Sequence, residues 1–244
     1  MPAGGAGTRL WPRSRRSRPK HVLPLTGGDA LLREAYERVR PLAADVFVLT
    51  EASQLEVVRR VLPELQEGQL ILEPTARGTA NALGLAALTL LQRDPEAVMV
   101  SLPADHVVRG TAQFRRAIRA AVTAATRHQA LVTIGLKPTY PATGYGYIAA
   151  RRRVAGGALQ VERFVEKPDA ERARRYLRQG GHYWNLAMFC WGAAVFMEEL
   201  RRFAPRQARA LERVVAARAR GDEPEAARLY NRLPVTVVDY AVME

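Results

Sequence analysis

The alternation of short apolar runs with helical segments is the feature that most constrains the fold. In the first 136 residues, apolar runs of strand length are separated by stretches in which apolar residues recur at helical spacing. The predicted strands are 45–50, 69–73, 97–102 and 130–136, and the predicted helices are 51–62, 79–92 and 111–128. Such repetition indicates an α/β fold with a mixed, mostly parallel sheet and helices on both faces. Ligands of these sheets bind beyond the carboxyl ends of the strands.

The pattern changes after residue 136. Strands are predicted at 145–150, 158–166, 183–191 and 235–238, and helices at 169–178 and from 193 to about 231. Because no Gly/Ser-rich linker or repeat interrupts the chain, we expect a single domain over 1–244. Within it, the segment from about residue 137 onward is expected to form an inserted substrate-binding half.

Both ends of this domain are expected to be truncated. A glycine-rich loop in an α/β sheet normally follows an apolar strand, yet only Met1, Pro2 and Ala3 precede Gly4. The first strand of the sheet is therefore predicted to be missing. At the other end, the chain stops at Glu244, shortly after the last predicted strand.

The composition indicates a folded protein that attracts anions. Hydrophobic residues make up 48% of the chain, and 37 Lys+Arg against 24 Asp+Glu give a formal net charge of +13. A net positive charge would attract nucleotides, sugar phosphates, nucleic acid or membrane surfaces, and the charge alone does not distinguish between them. No apolar run is long enough to span a membrane. The single cysteine, Cys190, lies in an apolar stretch and is predicted to be a buried thiol, which suits a cytoplasmic protein.

The glycine-rich N-terminal segment suits a bound polyphosphate. Gly4, Gly5 and Gly7 allow backbone N–H groups to surround an anion, and Arg9 and Lys20 can add full positive charges. Only 3 of the 37 basic residues are lysines, which favours a specific role for Lys20 as a compact cation against phosphate. The alternative is a flexible, arginine-rich tail.

A carboxylate at the end of a predicted strand is a candidate metal ligand. Asp105 follows the apolar run 97–102 and can offer oxygen to Mg²⁺. The alternative is a solvated loop residue or a helix cap. The neighbouring His106 is better explained by a structural hydrogen bond, because Mg²⁺ prefers oxygen ligands.

Three further segments suit a phosphorylated sugar. Tyr145 and Gly146 combine an aromatic ring with a close backbone approach, while Glu166 and Lys167 can bind hydroxyls and phosphate. Asn185 places an amide in an apolar run, where it needs polar partners. The alternatives are ordinary strand tyrosines and a surface ion pair, which would contribute about 1 kcal/mol at most.

Taken together, these segments resemble the mannose-1-phosphate guanylyltransferase family over essentially the whole chain. The motifs, in order, are GGAGTRLWP, RPK, ILEPTARGTA, LPADH, PATGYGYI, FVEKPD, YWNLAMF and VVDYAVME. The resemblance implies a Rossmann-like nucleotide-diphospho-sugar transferase fold, with a nucleotide-binding half at about 1–136 and a sugar-phosphate half at about 137–244. It also implies a cytoplasmic, Mg²⁺-dependent enzyme that makes GDP-mannose and pyrophosphate from GTP and mannose 1-phosphate. The alternative is another sugar-1-phosphate nucleotidyltransferase, such as a thymidylyl- or uridylyltransferase. A homodimer is left open.

Site roles follow from the resemblance by position. Catalysis would involve Arg9, Lys20 and Asp105, with Asp105 binding the metal. The nucleotide would lie against Gly4, Gly5, Gly7, Thr8, Arg9, Lys20, Glu73, Arg77, Thr79 and Ala80, and the sugar phosphate against Tyr145, Gly146, Glu166, Lys167 and Asn185.

The chain departs from the family pattern in two places. Leu186-Ala187 replaces the Ser-Gly or Gly-Gly that usually follows the Trp-Asn pair, and the added side chains could crowd the sugar. The chain also ends before the segment that carries a second metal-binding aspartate in the family.

Two other classes of protein remain open. The first is a nucleic-acid-binding protein, which the net positive charge would suit. Against it, the helical region 171–220 mixes Arg with Glu and Ala, as solvent-exposed helix faces do, and no nucleic-acid-binding module is recognisable in the sequence. A non-catalytic relative that binds a nucleotide sugar is the second alternative. Nucleotide binding without turnover would distinguish it.

Overall fold

The computed structural model describes residues 1–5, 7, 10–15 and 17–243. Its strands are β1 (Val48–Glu51), β2 (Leu70–Glu73), β3 (Val98–Ser101), β4 (Val132–Leu136), β5 (Tyr147–Arg153), β6 (Leu159–Val165) and β7 (His182–Gly192). Its helices are α1 (Leu31–Val39), α2 (Leu55–Val61), α3 (Thr79–Leu91), α4 (Thr111–His128), α5 (Ala170–Gln179), α6 (Ala193–Phe203), α7 (Pro205–Ala219) and α8 (Glu223–Asn231). The predicted helices and all but one of the predicted strands are therefore present, with shifted ends.

Local sequence explains where several of these helices begin and end. Asp169 caps α5, since its side chain accepts a hydrogen bond from the backbone N–H of Arg172 at 2.8 Å. Helix α4 lies between Gly110 and Gln129, both in the left-handed conformation, which interrupts helical hydrogen bonding at each end. Helix α3 is apolar on nearly all sides because it is buried along most of its length.

The strands form a parallel sheet of two strands and an antiparallel sheet of five, and helices pack against them, which confirms the predicted α/β class. Strands β1 and β2 pair in parallel. Strand β7 pairs antiparallel with β3, β4 and β5, and β5 pairs antiparallel with β6. Four of the five pairings between the described strands are antiparallel, so these strands do not show the mostly parallel pairing that the sequence pattern predicted. The physical reason is that the long strand β7 returns through the centre of the sheet and has partners along both edges.

The first three residues lie between the two groups of strands. The N–H of Ala3 donates to the carbonyl of Leu49 at 2.8 Å, and the N–H of Leu49 donates to the carbonyl of Met1 at 3.0 Å. On the other side, the N–H of Ala104 donates to the carbonyl of Pro2 at 3.1 Å. Residues 1–3 thus form a short parallel bridge beside β1 rather than a complete strand.

The largest apolar core lies between the sheet and α3, α6, α7 and α8. Trp191 and Phe196 are fully buried there and stack at 4.5 Å between ring centroids. Cys190, as predicted, is a buried thiol: it lies on β7 opposite both Val100 and Val132, and burial raises its pKa to about 12.

Two parts of the structure differ from the prediction. Residues 235–238 do not form a strand, because their backbone is held by the start of α3: Thr236 exchanges hydrogen bonds with Arg77 and Ala80. The chain then enters a π-helical turn, Asp239–Met243. Helix α1 was not predicted, although buried residues at 31, 32, 35, 36 and 39 give it an amphipathic pattern.

Among the helices of the described ranges, none is both long and apolar enough to cross a membrane.

Candidate active site

The N-terminal loop closes on Lys20. Gly5 and Gly7 have φ values of +89° and +60°, a backbone conformation that favours glycine. A Cβ at Gly7 would lie 2.7 Å from the Cβ of Lys20, so only glycine permits this approach. The Ser14 hydroxyl donates to the carbonyl of Gly7 and fixes the turn from the other side. Thr8 and Arg9 lie outside the described residues, and their roles stay predictions.

Lys20 and Asp105 meet at the end of β3. The ammonium of Lys20 lies 2.9 Å from Oδ2 of Asp105, and both side chains remain partly exposed. The backbone of the Asp105 segment is anchored by the hydrogen bond from Ala104 to Pro2. The loop and the carboxyl end of β3 therefore bring together a cation and a carboxylate that are 85 residues apart in the sequence.

Two histidines near this pair are held neutral. Burial lowers the pKa of His21 to about 4, although the negative charge of Asp105 acts in the other direction and raises it. Burial also lowers the pKa of His106. The two imidazoles are therefore neutral at neutral pH, and the His106 ring adds no positive charge beside the Asp105 carboxylate.

The donor set around Asp105 suits a hard divalent cation that is shared with a substrate. No group of three or more His, Cys, Asp and Glu side chains with metal-binding geometry occurs among the residues described. Mg²⁺ commonly takes one or two protein carboxylates and completes its shell with phosphate oxygens and water. One partly exposed aspartate beside the glycine-rich loop meets this requirement.

The residues assigned to the base and ribose lie around the start of α3. Glu73 is buried and accepts a hydrogen bond from the hydroxyl of Tyr230 at 2.5 Å; burial raises the pKa of its carboxyl group. The Thr79 hydroxyl accepts from the N–H of Val238 at 2.9 Å, and the N–H of Ala80 donates to the carbonyl of Thr236 at 3.0 Å.

These contacts tie the segment 234–238 to the start of α3. The carbonyl of Arg77 accepts hydrogen bonds from the backbone N–H of Thr236 and from the side-chain amide of Asn81. Gly78 has a φ of +84° and no Cβ, so its backbone can lie directly against the carbonyl of Thr236. Nucleotide contacts by Glu73, Arg77, Thr79 and Ala80 stay predictions. In the structure, the Glu73 carboxylate already bonds to α8, and polar groups of the other three residues hold the start of α3 to the segment that follows α8.

The residues predicted to bind the sugar phosphate, in contrast, lie around an open cavity. Its volume is about 310 Å³. It is lined by Gly146, Tyr147, Phe164, Val165, Glu166, Lys167, Asn185, Val237, Asp239 and Tyr240. Four of the five predicted sugar-phosphate residues are thus together, and the fifth, Tyr145, lies beside them, half exposed against Trp184.

Gly146 lies close to two other residues of this cavity. A Cβ at this position would lie 2.8 Å from Oε2 of Glu166 and 3.5 Å from Cβ of Asn185. The carbonyl of Gly146 also accepts the backbone N–H of Asn185 at 2.8 Å. Lys167 forms an ion pair with Glu166 and has a φ of +39°, which turns the chain at the end of β6.

Asp239 is a cavity residue that sequence reasoning missed. Its carboxylate accepts a hydrogen bond from the Asn185 amide at 2.6 Å, and burial raises the pKa of its carboxyl group. The signal was present in the sequence, since Asp239 is the only charged residue between Pro234 and Met243. A partly buried carboxylate in an apolar run needs a polar partner or a ligand.

The departure at Leu186-Ala187 does not narrow the cavity. Leu186 packs against the core that includes Val48 and Met188, and neither residue 186 nor 187 is among those that line the cavity. Ala187 has a φ of +50°, where glycine is favoured. The usual glycine at this position is therefore explained by backbone conformation.

This arrangement of a glycine-rich loop, a strand-end carboxylate and a separate polar cavity agrees with comparisons to known proteins. The sequence model of the nucleotidyl transferase family matches residues 2–224. The chain belongs to the nucleotidyl transferase family. The predicted resemblance is confirmed at this level, and the fold of the family agrees with the mixed α/β architecture described above.

Individual members of the family resemble the chain over nearly its whole length. The xanthan biosynthesis protein XanB of Xanthomonas campestris pv. campestris is 41% identical over 99% of this chain and 52% of its own length. The mannose-1-phosphate guanylyltransferase of Escherichia coli is 39% identical over 99% of this chain and 53% of its own length. The chain therefore spans about half the length of these curated relatives.

A solved structure shows the same architecture. The crystal structure of mannose-1-phosphate geranyltransferase from Thermus thermophilus matches with a TM-score of 0.88 and 36% identity, covering 100% of this chain and 69% of that one. Nucleotidyl transferases generally use a divalent metal, which agrees with the donor set around Asp105.

Proposed function

We propose that this nucleotidyl transferase makes GDP-mannose and pyrophosphate from GTP and mannose 1-phosphate. The observation that carries the reaction class is the meeting of Lys20 with Asp105 beside the glycine loop. The sugar and the base are supported by relatives named mannose-1-phosphate guanylyltransferase at 35–39% identity.

The reaction is a direct transfer. A phosphate oxygen of mannose 1-phosphate attacks the α-phosphorus of GTP, a new P–O bond forms, and the bond to the β-phosphate oxygen breaks, releasing pyrophosphate. Such a displacement requires positioning and neutralisation of charge, and no covalent enzyme intermediate. Mg²⁺, held by Asp105 and by phosphate oxygens, would supply charge neutralisation when bound.

The chain's own residues would divide this work between two sites. The backbone N–H groups of Gly4, Gly5 and Gly7 bind the triphosphate, and the Lys20 ammonium neutralises it. The 310 Å³ cavity holds the sugar. There Glu166 and Asn185 bind hydroxyl groups, and Lys167, at the rim, binds the phosphate.

The test is pyrophosphate release by the 244-residue chain with GTP, mannose 1-phosphate and Mg²⁺. We expect turnover that requires all three components, with GTP preferred over ATP and UTP. Equal turnover with glucose 1-phosphate would show that the sugar is assigned wrongly. Tight binding of GDP-mannose without turnover would contradict the proposed activity and support a nucleotide-sugar-binding protein.

Asp105→Asn should reduce turnover at least about a hundredfold while leaving the unfolding midpoint nearly unchanged, because it removes charge but no core contact. Asp29→Asn is the matched control, since Asp29 is an exposed loop residue far along the chain from the strand ends. Turnover of the Asp105→Asn protein within twofold of Asp29→Asn would refute the metal-binding role.

A further inference from the structure

Asp239 contributes a second carboxylate to the cavity that is proposed to hold the sugar. It begins the π-helical turn Asp239–Met243 and lines the space of about 310 Å³ together with Glu166, Lys167 and Asn185. The side chain is half-buried, and its Oδ1 accepts a hydrogen bond from Nδ2 of Asn185 at 2.6 Å. The roles proposed above for the other three residues leave Asp239 without one.

The amide of Asn185 is held at both ends. Its Nδ2 donates to Asp239, and its Oδ1 accepts a hydrogen bond from the backbone N–H of Ala187 at 3.0 Å. A carboxylate can only accept and an N–H can only donate, so a flipped amide would place like groups against each other at both ends. Asp239 therefore fixes the orientation of the amide, and one hydrogen on Nδ2 and one lone pair on Oδ1 remain for a ligand.

Contacts order four polar groups along the cavity. Lys167 forms an ion pair with Glu166. The position that a Cβ of Gly146 would occupy lies 2.8 Å from Oε2 of Glu166 and 3.8 Å from Nδ2 of Asn185, so these two groups are neighbours. Asn185 in turn donates to Asp239. The row of polar groups therefore runs from the Lys167 ammonium at one end to the Asp239 carboxylate at the other.

The two ends of this row differ in charge. Among the residues that the structure describes, none of the ion pairs includes Asp239. Burial raises the pKa of Asp239, and the negative charge of Glu166 also raises it. A carboxylate in this position is stabilised by a neutral hydroxyl donor and destabilised by a second anion. The Asp239 end therefore suits a hydroxyl group, whereas the Lys167 end suits a phosphate.

We propose that Asp239 determines sugar specificity by accepting a hydrogen bond from the C6 hydroxyl of the hexose and by repelling sugars that carry a carboxylate there. With the phosphate at Lys167, the row places Asp239 beside the part of the sugar remote from C1, to which C6 belongs. Through Asn185, Asp239 also directs an amide at the hydroxyls in between. This inference rests on the proposed function, because it uses the same cavity and the same orientation of the sugar phosphate.

Two variants separate the charge of Asp239 from its contact with Asn185. Asp239→Asn removes the charge but keeps an oxygen that can accept from Nδ2 of Asn185, whereas Asp239→Ala removes both. Asp29→Asn is the matched control, since Asp29 is exposed and lies in the loop before α1. Initial rates are measured with mannose 1-phosphate, its 6-deoxy analogue and mannuronic acid 1-phosphate, at saturating GTP and Mg²⁺.

We expect the unchanged protein to have a KM for mannuronic acid 1-phosphate at least about a hundredfold above that for mannose 1-phosphate, because like charges would meet at C6. Asp239→Asn should narrow this ratio at least about tenfold, with the KM for GTP within about twofold of that of Asp29→Asn. The unchanged protein should prefer mannose 1-phosphate to the 6-deoxy analogue about tenfold, and Asp239→Ala should remove this preference.

Two results would overturn the proposal while the proposed function stands. One is an unchanged ratio of KM values in Asp239→Asn. The other is an equal rise in the KM of every sugar and of GTP together with a lowered melting temperature, which is the result expected of a purely structural residue.

Binding of the same three sugar phosphates is also measured by NMR saturation transfer, which requires no turnover. If the unchanged protein and Asp29→Asn bind these sugars but release no pyrophosphate, the proposed function fails. Weaker discrimination by Asp239→Asn would then still support the specificity role, and retained discrimination would contradict it. Absence of saturation transfer from all three sugars would contradict both the proposed function and the role of Asp239.

Discussion

Acetylation of the Met1 amino group should remove part of the pH dependence of stability. This amine is buried against the carbonyl of Phe47, and burial lowers its pKa from 8.0 to about 5. The unfolded chain therefore binds more protons than the folded protein between these two values. By linkage, this group makes the folded protein more stable as pH rises from 5 to 8, and least stable below pH 5.

The size of the effect follows from the pKa difference. A difference of about 3 corresponds to about 4 kcal/mol at most, of which about 3 kcal/mol is gained between pH 5 and pH 8. An acetylated amine cannot be protonated but keeps an N–H for the carbonyl of Phe47. The acetyl group itself has space, because Met1 borders an apolar cavity of about 610 Å³ between β1 and β3.

The assay is urea unfolding of the unmodified and acetylated proteins at pH 5 and pH 8. The unmodified protein should gain about 3 kcal/mol more than the acetylated one over this interval. His21 and His106 also have pKa values lowered by burial and make stability rise with pH, but they act equally in both proteins and cancel in the comparison. Identical gains in the two proteins would refute the assignment of a buried, neutral amine.

Three further predictions concern glycines and the cavity lysine. Gly146→Ala should raise the KM for mannose 1-phosphate about tenfold, which corresponds to about 1.4 kcal/mol, because the added Cβ would lie 2.8 Å from Glu166 and displace its carboxylate. In the same initial-rate assays the KM for GTP should stay within twofold. An equal rise for both substrates would contradict the proposed sugar site. Gly78→Ala should lower the free energy of unfolding by about 1–3 kcal/mol more than Gly27→Ala. Both glycines have φ near +80°, but only at Gly78 would the Cβ meet a backbone oxygen, at 2.3 Å; equal losses in urea unfolding would refute the steric argument. Lys167→Ala should raise the KM for mannose 1-phosphate more than that for GTP, and an effect confined to GTP would place this lysine on the other substrate.

Much of the fold could be predicted because burial leaves a periodic signal. The strands and helices of the first half alternate in apolar periodicity, and the structure confirms them with small shifts at their ends. The strand predicted at 235–238 is absent for a physical reason. The Val-rich sequence is typical of a strand, but its hydrogen-bonding partners belong to the start of helix α3. Such a pairing between distant segments cannot be read from local sequence.

The candidate site was predicted unevenly for a similar reason. Strand ends and turns bring Lys20 and Asp105 together and place Glu166 at the 310 Å³ cavity, while the roles of these residues stay predictions. Asp239 was missed because its role depends on a hydrogen bond to Asn185, 54 residues earlier in the chain. Sequence patterns reveal which side chains are unusual in their surroundings, whereas their partners depend on tertiary packing.

The position of Cys190 gives this protein a built-in reporter of motion in its central sheet. It is the only thiol in the chain, it is fully buried on β7, and it packs against Ala121 and Ala125 of α4. A thiol reagent can reach it only when α4 moves away from the sheet or the sheet itself opens. The rate at which an aromatic disulfide labels the native protein therefore measures how often this part of the core opens, without any added probe or mutation.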